Sequence, residues 1–473
     1  MKRELIFVPA PGRGHVVSTV EFAKRLLARD ERISITVVLI KRPTPPKLEP
    51  YFDELAASNP GMQFIITPDV DPPPPEFMKS IEKFATVYID KCKSLVKDAI
   101  TNHLLSNSSS TQLVGLVIDL FCTPMIDVAN ELGVPCYLFF TSSAAFLGLM
   151  LYLPIRHSQI GTEYSISDHN DSIISVCSNP VPSRVLPSFL FDGKNGGYES
   201  MVYHAKRFKE TKGFIINTFA ELEPHAIKSL ESDTELAPIY TAGPLLNFEV
   251  EKLTDSERII KWLDDQPSSS VVYLCFGSMG GFEPPQLAEI ATALERSGHR
   301  FLWSVRAPPP KDFSVKPVVY TDFSEILPKG FLERTENSGL VCGWTPQAEI
   351  LAHEAVGGFV SHCGWNSILE SLWNGVPIAT WPVYAEQQYN AFQLVKDLKL
   401  AVELTLDYRF TNPDKIVMAD EIEKAVRCLM DAENPVRKRV KEVGEKGRMA
   451  LVDGGSSFVS LGRFIEDVLV EKS

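Results

Sequence analysis

The sequence predicts an α/β protein built as two doubly wound domains, with a ligand cleft between the carboxyl ends of their strands. Three observations carry that reading. The chain is 473 residues long, against roughly 150 for an ordinary domain. Short β-rich runs alternate with amphipathic helical patterns through both halves. Between 243 and 257 the rhythm breaks into the polar, irregular stretch GPLLNFEVEKLTDSE.

The elements follow in order. Runs at 4–8, 33–40, 113–118, 137–140 and 213–217 read as strands of the first half, mostly continuous apolar runs suited to a parallel sheet covered on both faces. Residues 16–28 form an amphipathic helix with apolar positions 16, 20, 23 and 27, and 144–155 is apolar enough to be a buried helix but too short to span a bilayer. The second series has strands at 270–276, 301–305, 339–342, 358–361 and 378–381, each leading into a helix, and helical patterns over 419–449 and 456–470 close the chain. The expected division is a first domain over 1–246, a linker over 247–258, a second domain over 259–450 and a closing segment over 451–473.

Composition narrows the function. Apolar residues make up 44% and charged residues 23%, enough for large cores and too apolar for disorder. Lys and Arg number 47 against 60 Asp and Glu, a net charge of −13, which disfavours a general grip on nucleic acid or an anionic membrane. Any phosphate must be held locally. Eight scattered cysteines without a CxxC pair fit reduced thiols, and the six-residue apolar stretch near the amino terminus is too short for a signal-peptide core, so a cytoplasmic protein is expected.

Chemistry-bearing residues gather at strand ends. The first strand runs into Pro9-Ala10-Pro11-Gly12-Arg13-Gly14-His15, a glycine-rich turn opening a helix expected to start at His15 or just after it. A dinucleotide reading fails, because Val17 stands where a third glycine belongs and Lys41 where an acid belongs. What remains is a histidine at the mouth of the cleft, which the helix dipole should keep neutral and able to take a proton. Asp119, ending a nearby strand, is placed to orient it. The residues alone leave open that His15 is a structural helix-start residue and Asp119 a cap.

The densest signal lies in segment 344–387. There the strand GGFVS runs into HCGWNS at a helix start. One face of that helix, Trp365, Ile368, Leu369, Leu372 and Trp373, is apolar; the other offers His362, Asn366, Ser367 and Glu370 for phosphate oxygens and ribose hydroxyls. Trp344 offers a flat ring to a base, and Glu386 and Gln387 offer bidentate bonds to vicinal sugar hydroxyls. His362-Cys363 lacks further ligands for zinc, and Asp69-Val70-Asp71 is a three-residue match in a proline-rich loop, so no metal site is assigned.

Segment 344–387 resembles the signature box of the plant family 1 UDP-dependent glycosyltransferases, and Gly12-x-Gly14-His15, Asp119 and Phe276-Gly277-Ser278 stand where such enzymes have their other landmarks. The most similar subgroup glucosylates phenolics such as flavonoids. The resemblance implies a GT-B fold of two Rossmann-like domains, a final helix crossing back to the first, no metal or other cofactor, and an inverting transfer of glucose from UDP-glucose to a small hydrophobic acceptor by a monomer. It implies His15 as general base with Asp119 as its partner. Trp344 would stack on uracil with backbone bonds from Thr345, Gln347 and Glu370 would hold ribose, and His362, Asn366, Ser367 and Ser278 the diphosphate. Thr141, Trp365, Glu386 and Gln387 would hold the sugar. Phe121, Phe146, Met150 and Phe189 are the apolar candidates for the acceptor pocket. Arg13, where a small or apolar residue is common, would set a cation beside diphosphate or acceptor. The competing expectation is a catalytically silent UDP-sugar-binding protein on the same fold.

Overall fold

The computed structural model describes residues 1–43, 48–107, 110–168, 171–248, 255–308, 318, 320–412 and 415–470. Positions 249–254 of the expected linker and 471–473 of the closing segment lie outside them. Seven strands build the first sheet: β1 (Lys2–Val8), β2 (Ile33–Leu39), β3 (Gln63–Ile66), β4 (Thr111–Asp119), β5 (Cys136–Phe140), β6 (Phe214–Ile216) and β7 (Ile239–Thr241), in the order β3-β2-β1-β4-β5-β6-β7. Six build the second: β8 (Val271–Cys275), β9 (Arg300–Ser304), β10 (Gly339–Cys342), β11 (Val356–Ser361), β12 (Ile378–Thr380) and β13 (Ala401–Glu403), in the order β10-β9-β8-β11-β12-β13. Among the described residues all pairings within the two sheets are parallel.

These orders position the site. In each sheet the winding reverses once, between β1 and β4 in the first and between β8 and β11 in the second. At such a reversal the loops leaving neighbouring strands diverge to opposite faces and leave a crevice beyond the carboxyl ends. Strands β5, β8 and β11 are buried along their whole length, as helices on both faces require.

The mapped α/β alternation is what the sequence predicts, with three additions. Strands β3, β7 and β13, of four, three and three residues, were not anticipated. Each is an edge strand of its sheet. The first helix spans Arg13–Arg29, two residues earlier than His15. The buried helix extends over Ala144–Ile160 and accommodates Pro154 inside it. All eight cysteines carry free thiols. Among the described residues no helix is long and apolar enough to cross a membrane.

The final helix, Ser456–Leu469, lies on the first domain. Its Phe464 is fully buried, with ring centroids 5.2 Å from Tyr137, 5.3 Å from Tyr240 and 5.9 Å from Phe22. Polar contacts fix the register: the Thr241 N–H donates to Ser460 Oγ at 2.8 Å, Ser457 Oγ donates to the Gly243 carbonyl at 2.6 Å, and the Tyr240 hydroxyl donates to Asp467. Because a truncated ring here leaves a cavity walled by three aromatics, Phe464→Ala should cost about 3–5 kcal/mol. The measurement is the thermal unfolding midpoint; an unchanged midpoint would contradict this docking of the helix.

Candidate active site

At the reversal point of the first sheet, β1 and β4 run side by side with Val8 opposite Ile118. The loop beyond β1 leads through Gly12, the extended residue that caps the first helix, to His15 in that helix's first turn. Asp119 is the last residue of β4. Their side chains meet, with His15 Nδ1 2.7 Å from Asp119 Oδ2. The second carboxylate oxygen accepts the Phe121 N–H at 3.0 Å, and Thr141 Oγ1 lies 3.2 Å from the same imidazole nitrogen. Asp119 is buried while the His15 side chain keeps 29% of its surface. With Nδ1 occupied, Nε2 is the nitrogen left for another partner.

The electrostatics correct one expectation. Burial alone pushes the His15 pKa down, but the charge of Asp119, its hydrogen bond and the more distant Glu386 together raise it above 6.5. The helix dipole thus does not set the direction of the shift; the two carboxylates do. The ring is a stronger base than an ordinary histidine.

The second domain answers from its own reversal point. Beyond β11 come His362, Cys363 in a left-handed conformation with φ 62°, and Gly364, which caps the helix Trp365–Trp373. His362 is wedged between two glycines: a Cβ at Gly277 or at Gly364 would stand 2.5 Å from its Nε2. Burial, reinforced by the Arg306 charge, pulls its pKa down to about 4. At neutral pH it is an uncharged hydrogen-bonding group. The helix start faces the first domain, since Asn366 Nδ2 donates to the Gly14 carbonyl at 3.4 Å and Ser18 Oγ donates to Asn366 Oδ1 at 3.3 Å. Two helix amino termini, each a positive dipole end, thus converge on one cleft.

Gln347 joins two of the other assigned residues, its Nε2 donating to Ser367 Oγ at 2.8 Å and to Glu370 Oε2 at 2.7 Å. Trp344 remains 40% exposed, and the Arg306 guanidinium carbon lies 3.8 Å from the centre of its ring. Thr345 is buried and turns its hydroxyl inward, 2.6 Å from that of buried Tyr273, so that hydroxyl is committed to the core. Ser278 is exposed in the loop after β8 and interacts with Tyr384.

At the sugar-side residues the structure changes the assignment. Ala385, left-handed at φ 54°, aims Glu386 across the cleft, where Ser142 Oγ donates to Glu386 Oε1 at 3.3 Å. Ser142 is held in turn, because the helix that follows it has its first N–H groups, Ala144 and Ala145, donating to buried Glu223 at 2.9 and 3.0 Å. Gln387 does not offer both ends of its amide: Oε1 accepts the Val383 and Tyr384 N–H groups, both at 3.0 Å, which leaves Nε2 as its donor. Nor is the Trp365 indole N–H available, for it donates to the Asn217 carbonyl at 2.7 Å across the domain boundary. What Trp365 can give a ligand is its backbone N–H at the helix start.

Among the apolar candidates, Phe121 lies edge-on to the His15 ring at 5.8 Å, and Phe146 packs on Phe189 at 6.3 Å and on Tyr389 of the second domain at 6.5 Å. Met150 is fully buried, in the same core as Phe146 and Phe189, which are 4% and 5% exposed. Arg13 sits over the Tyr51 ring at 5.0 Å, and Asp69 pairs with Lys41 at 3.1 Å. Among the described residues no group of three or more His, Cys, Asp or Glu converges as a cation site would require. Sequence reading missed Arg306, Ser142, Asn217 and Tyr384. Arg306 directly follows the strand expected at 301–305, so the strand-end rule that selected Trp344 would have selected it too.

Known proteins share this architecture. The family described as UDP-glucoronosyl and UDP-glucosyl transferase matches residues 255–425. Over nearly whole lengths the chain is 51% identical to UDP-glycosyltransferase 71K1 of Malus domestica, covering 99% of each. It is 50% identical to UDP-glucose flavonoid 3-O-glucosyltransferase 6 of Fragaria ananassa, covering 98% of each. The crystal structure of Medicago truncatula UGT71G1 complexed with UDP-glucose superposes with a TM-score of 0.89 at 47% identity, over 99% of this chain and 98% of that one. A Siraitia grosvenorii transferase in complex with UDP superposes with a TM-score of 0.88 at 42% identity, over 99% and 100%. The architecture is accordingly the two-domain GT-B fold, and this chain belongs to the UDP-glycosyltransferase family of enzymes.

Proposed function

We propose that the protein transfers glucose from UDP-glucose to a hydroxyl of a small phenolic, flavonoid-like acceptor with inversion at the anomeric carbon. The observation that carries this is the His15–Asp119 pair at 2.7 Å, set opposite the helix start of the second domain. Relatives named for flavonoid glucosylation and a neighbour that binds UDP-glucose support the donor and the acceptor class.

The reaction runs in one displacement. His15 Nε2 takes the acceptor hydroxyl proton as the oxygen attacks the anomeric carbon from the face opposite UDP. The new C–O bond forms while the bond to the β-phosphate oxygen breaks, and that electron pair leaves with UDP. Asp119 stabilises the imidazolium that results. The leaving charge meets N–H groups of the helix Trp365–Trp373, with neutral His362 and Ser278 as further donors. Gln347 with Glu370 takes the ribose and Trp344 the base. Glu386 and the Gln387 amide nitrogen take the sugar hydroxyls, with Thr141 beside His15. Phe121, Phe146 and Phe189 form the apolar side that receives the acceptor.

The direct test is incubation with UDP-glucose and a panel of phenols in excess chelator, with products identified by mass spectrometry. Glucosides should form; UDP binding without turnover on any acceptor would instead indicate a silent binding protein. His15→Ala should lower kcat at least about 100-fold on a weakly acidic phenol and on an aliphatic alcohol alike, with UDP affinity nearly unchanged. Retention of more than about a tenth of kcat on both would remove His15 as the base.

Donor choice is set by directional contacts, because glucose and galactose differ only at the 4-hydroxyl. Gln387→Ala deletes the donor Nε2 and strips the Val383 and Tyr384 N–H groups of their acceptor. A loss of about 5- to 150-fold in kcat/KM for UDP-glucose is expected. Competition among UDP-glucose, UDP-galactose, UDP-xylose and UDP-glucuronate measures it; a wild-type preference for any sugar but glucose contradicts the assignment.

A further inference from the structure

The wall of the first domain that carries Phe189 has little regular structure of its own. Between Val181 and Phe191 it contains only the two short turns Ser183–Val185 and Ser188–Phe191, so most of its carbonyls find no partner within an extended helix or sheet. Two of them are taken by a single side chain of the other domain. Arg409, 5% exposed, donates from Nη2 to the carbonyls of Arg184 and Leu186, both at 2.6 Å, and from Nη1 to Ser188 Oγ at 3.0 Å. Its guanidinium carbon stands 5.3 Å from the centre of the Phe191 ring.

The neighbours of Arg409 reach the donor side. Tyr408 packs against Trp381 at 6.0 Å and Phe282 at 5.8 Å, and its carbonyl accepts Gln388 Nε2 at 2.7 Å. Phe410 stacks on Tyr384 at 6.3 Å, two residues before Glu386. On the far side, Phe189 leans on Phe146, whose helix follows Thr141 and Ser142, the residues that touch His15 and Glu386. Burial lowers the Arg409 pKa only to about 10, so the group stays charged at neutral pH. A lysine would carry the charge without the planar fork that meets three acceptors at once.

We propose that Arg409 is a positioning residue for the acceptor: from the second domain it holds segment 183–191 of the first in the shape that the acceptor meets, and thereby sets acceptor selectivity. The proposal rests on the glycosyl-transfer reading above and adds to it a determinant outside the acceptor domain. Because the contact joins the two domains, the wall is complete only when they are docked as here. Acceptor affinity should then depend on Arg409 while nucleotide affinity does not.

The experiment uses the full-length wild type, Arg409→Met, Arg409→Lys and, on the receiving side, Ser188→Ala. Kinetics are read with a one-ring phenol and a three-ring flavonol, UDP affinity by calorimetry, and flavonol binding by calorimetry in saturating UDP. For Arg409→Met the flavonol KM should rise about tenfold or more and the flavonol-to-phenol ratio of kcat/KM should change at least about fivefold, with UDP affinity held within about twofold. Arg409→Lys should recover part of this, and Ser188→Ala should shift the ratio in the same direction by less.

An unchanged flavonol KM and ratio in folded Arg409→Met overturns the proposal, as does an equal loss of UDP affinity. If Arg409→Met does not fold, Arg409→Lys and Ser188→Ala decide, and wild-type ratios in both overturn it. A wild type that binds flavonol but forms no glucoside contradicts glycosyl transfer instead, and the calorimetric arm still tests Arg409.

Discussion

The contact between His15 and Asp119 is the constraint on which the rest depends. An ionised carboxylate buried as fully as Asp119 is costly unless hydrogen bonds replace its water. Here the imidazole and the Phe121 N–H supply them. The partners lie 104 residues apart in sequence and meet only because β1 and β4 are adjacent at the reversal of the first sheet. Sheet order, helix start and basicity are therefore one arrangement: shifting β4 by one residue would turn Asp119 to the other face and leave His15 to its desolvation.

Around this pair the two domains share their polar groups. Asn366 reaches Gly14, Trp365 reaches Asn217, Ser142 reaches Glu386, and Arg409 reaches three acceptors in the opposing wall. Each joins a residue of one domain to a residue of the other. The charge is divided unevenly. Near His362 the cation is Arg306, while the histidine itself stays neutral. In the proposed reaction that neutral ring, the helix N–H groups and nearby hydroxyls would be the donors that meet the leaving phosphate.

The winding and the residues that stand at the strand ends could be read in the sequence because the central parallel strands are continuous apolar runs followed at once by polar turns. The edge strands β3, β7 and β13, of three or four residues, could not, although the fourth edge strand, β10, was readable at 339–342. At the site, residue types and their neighbourhood were readable, but what each polar atom is committed to was not. The amide oxygen of Gln387 serves its own loop and the indole N–H of Trp365 serves Asn217. Met150 looks like a pocket residue in sequence and is core in the fold. The sign of the His15 shift was also hidden, because it balances burial against two carboxylates brought from 119 and 386.

The central claim is that Asp119 makes His15 the base, and the pH dependence of kcat/KM tests it most directly. His15 accepts a proton only when neutral, so the rate falls as pH drops through its pKa, which Asp119 holds above 6.5. In Asp119→Asn the largest remaining influence is burial, which favours the neutral ring, so the acid limb should move to lower pH while the plateau rate falls. An acid limb that stays in place or moves to higher pH, in a folded Asp119→Asn protein that still binds UDP, would contradict the account.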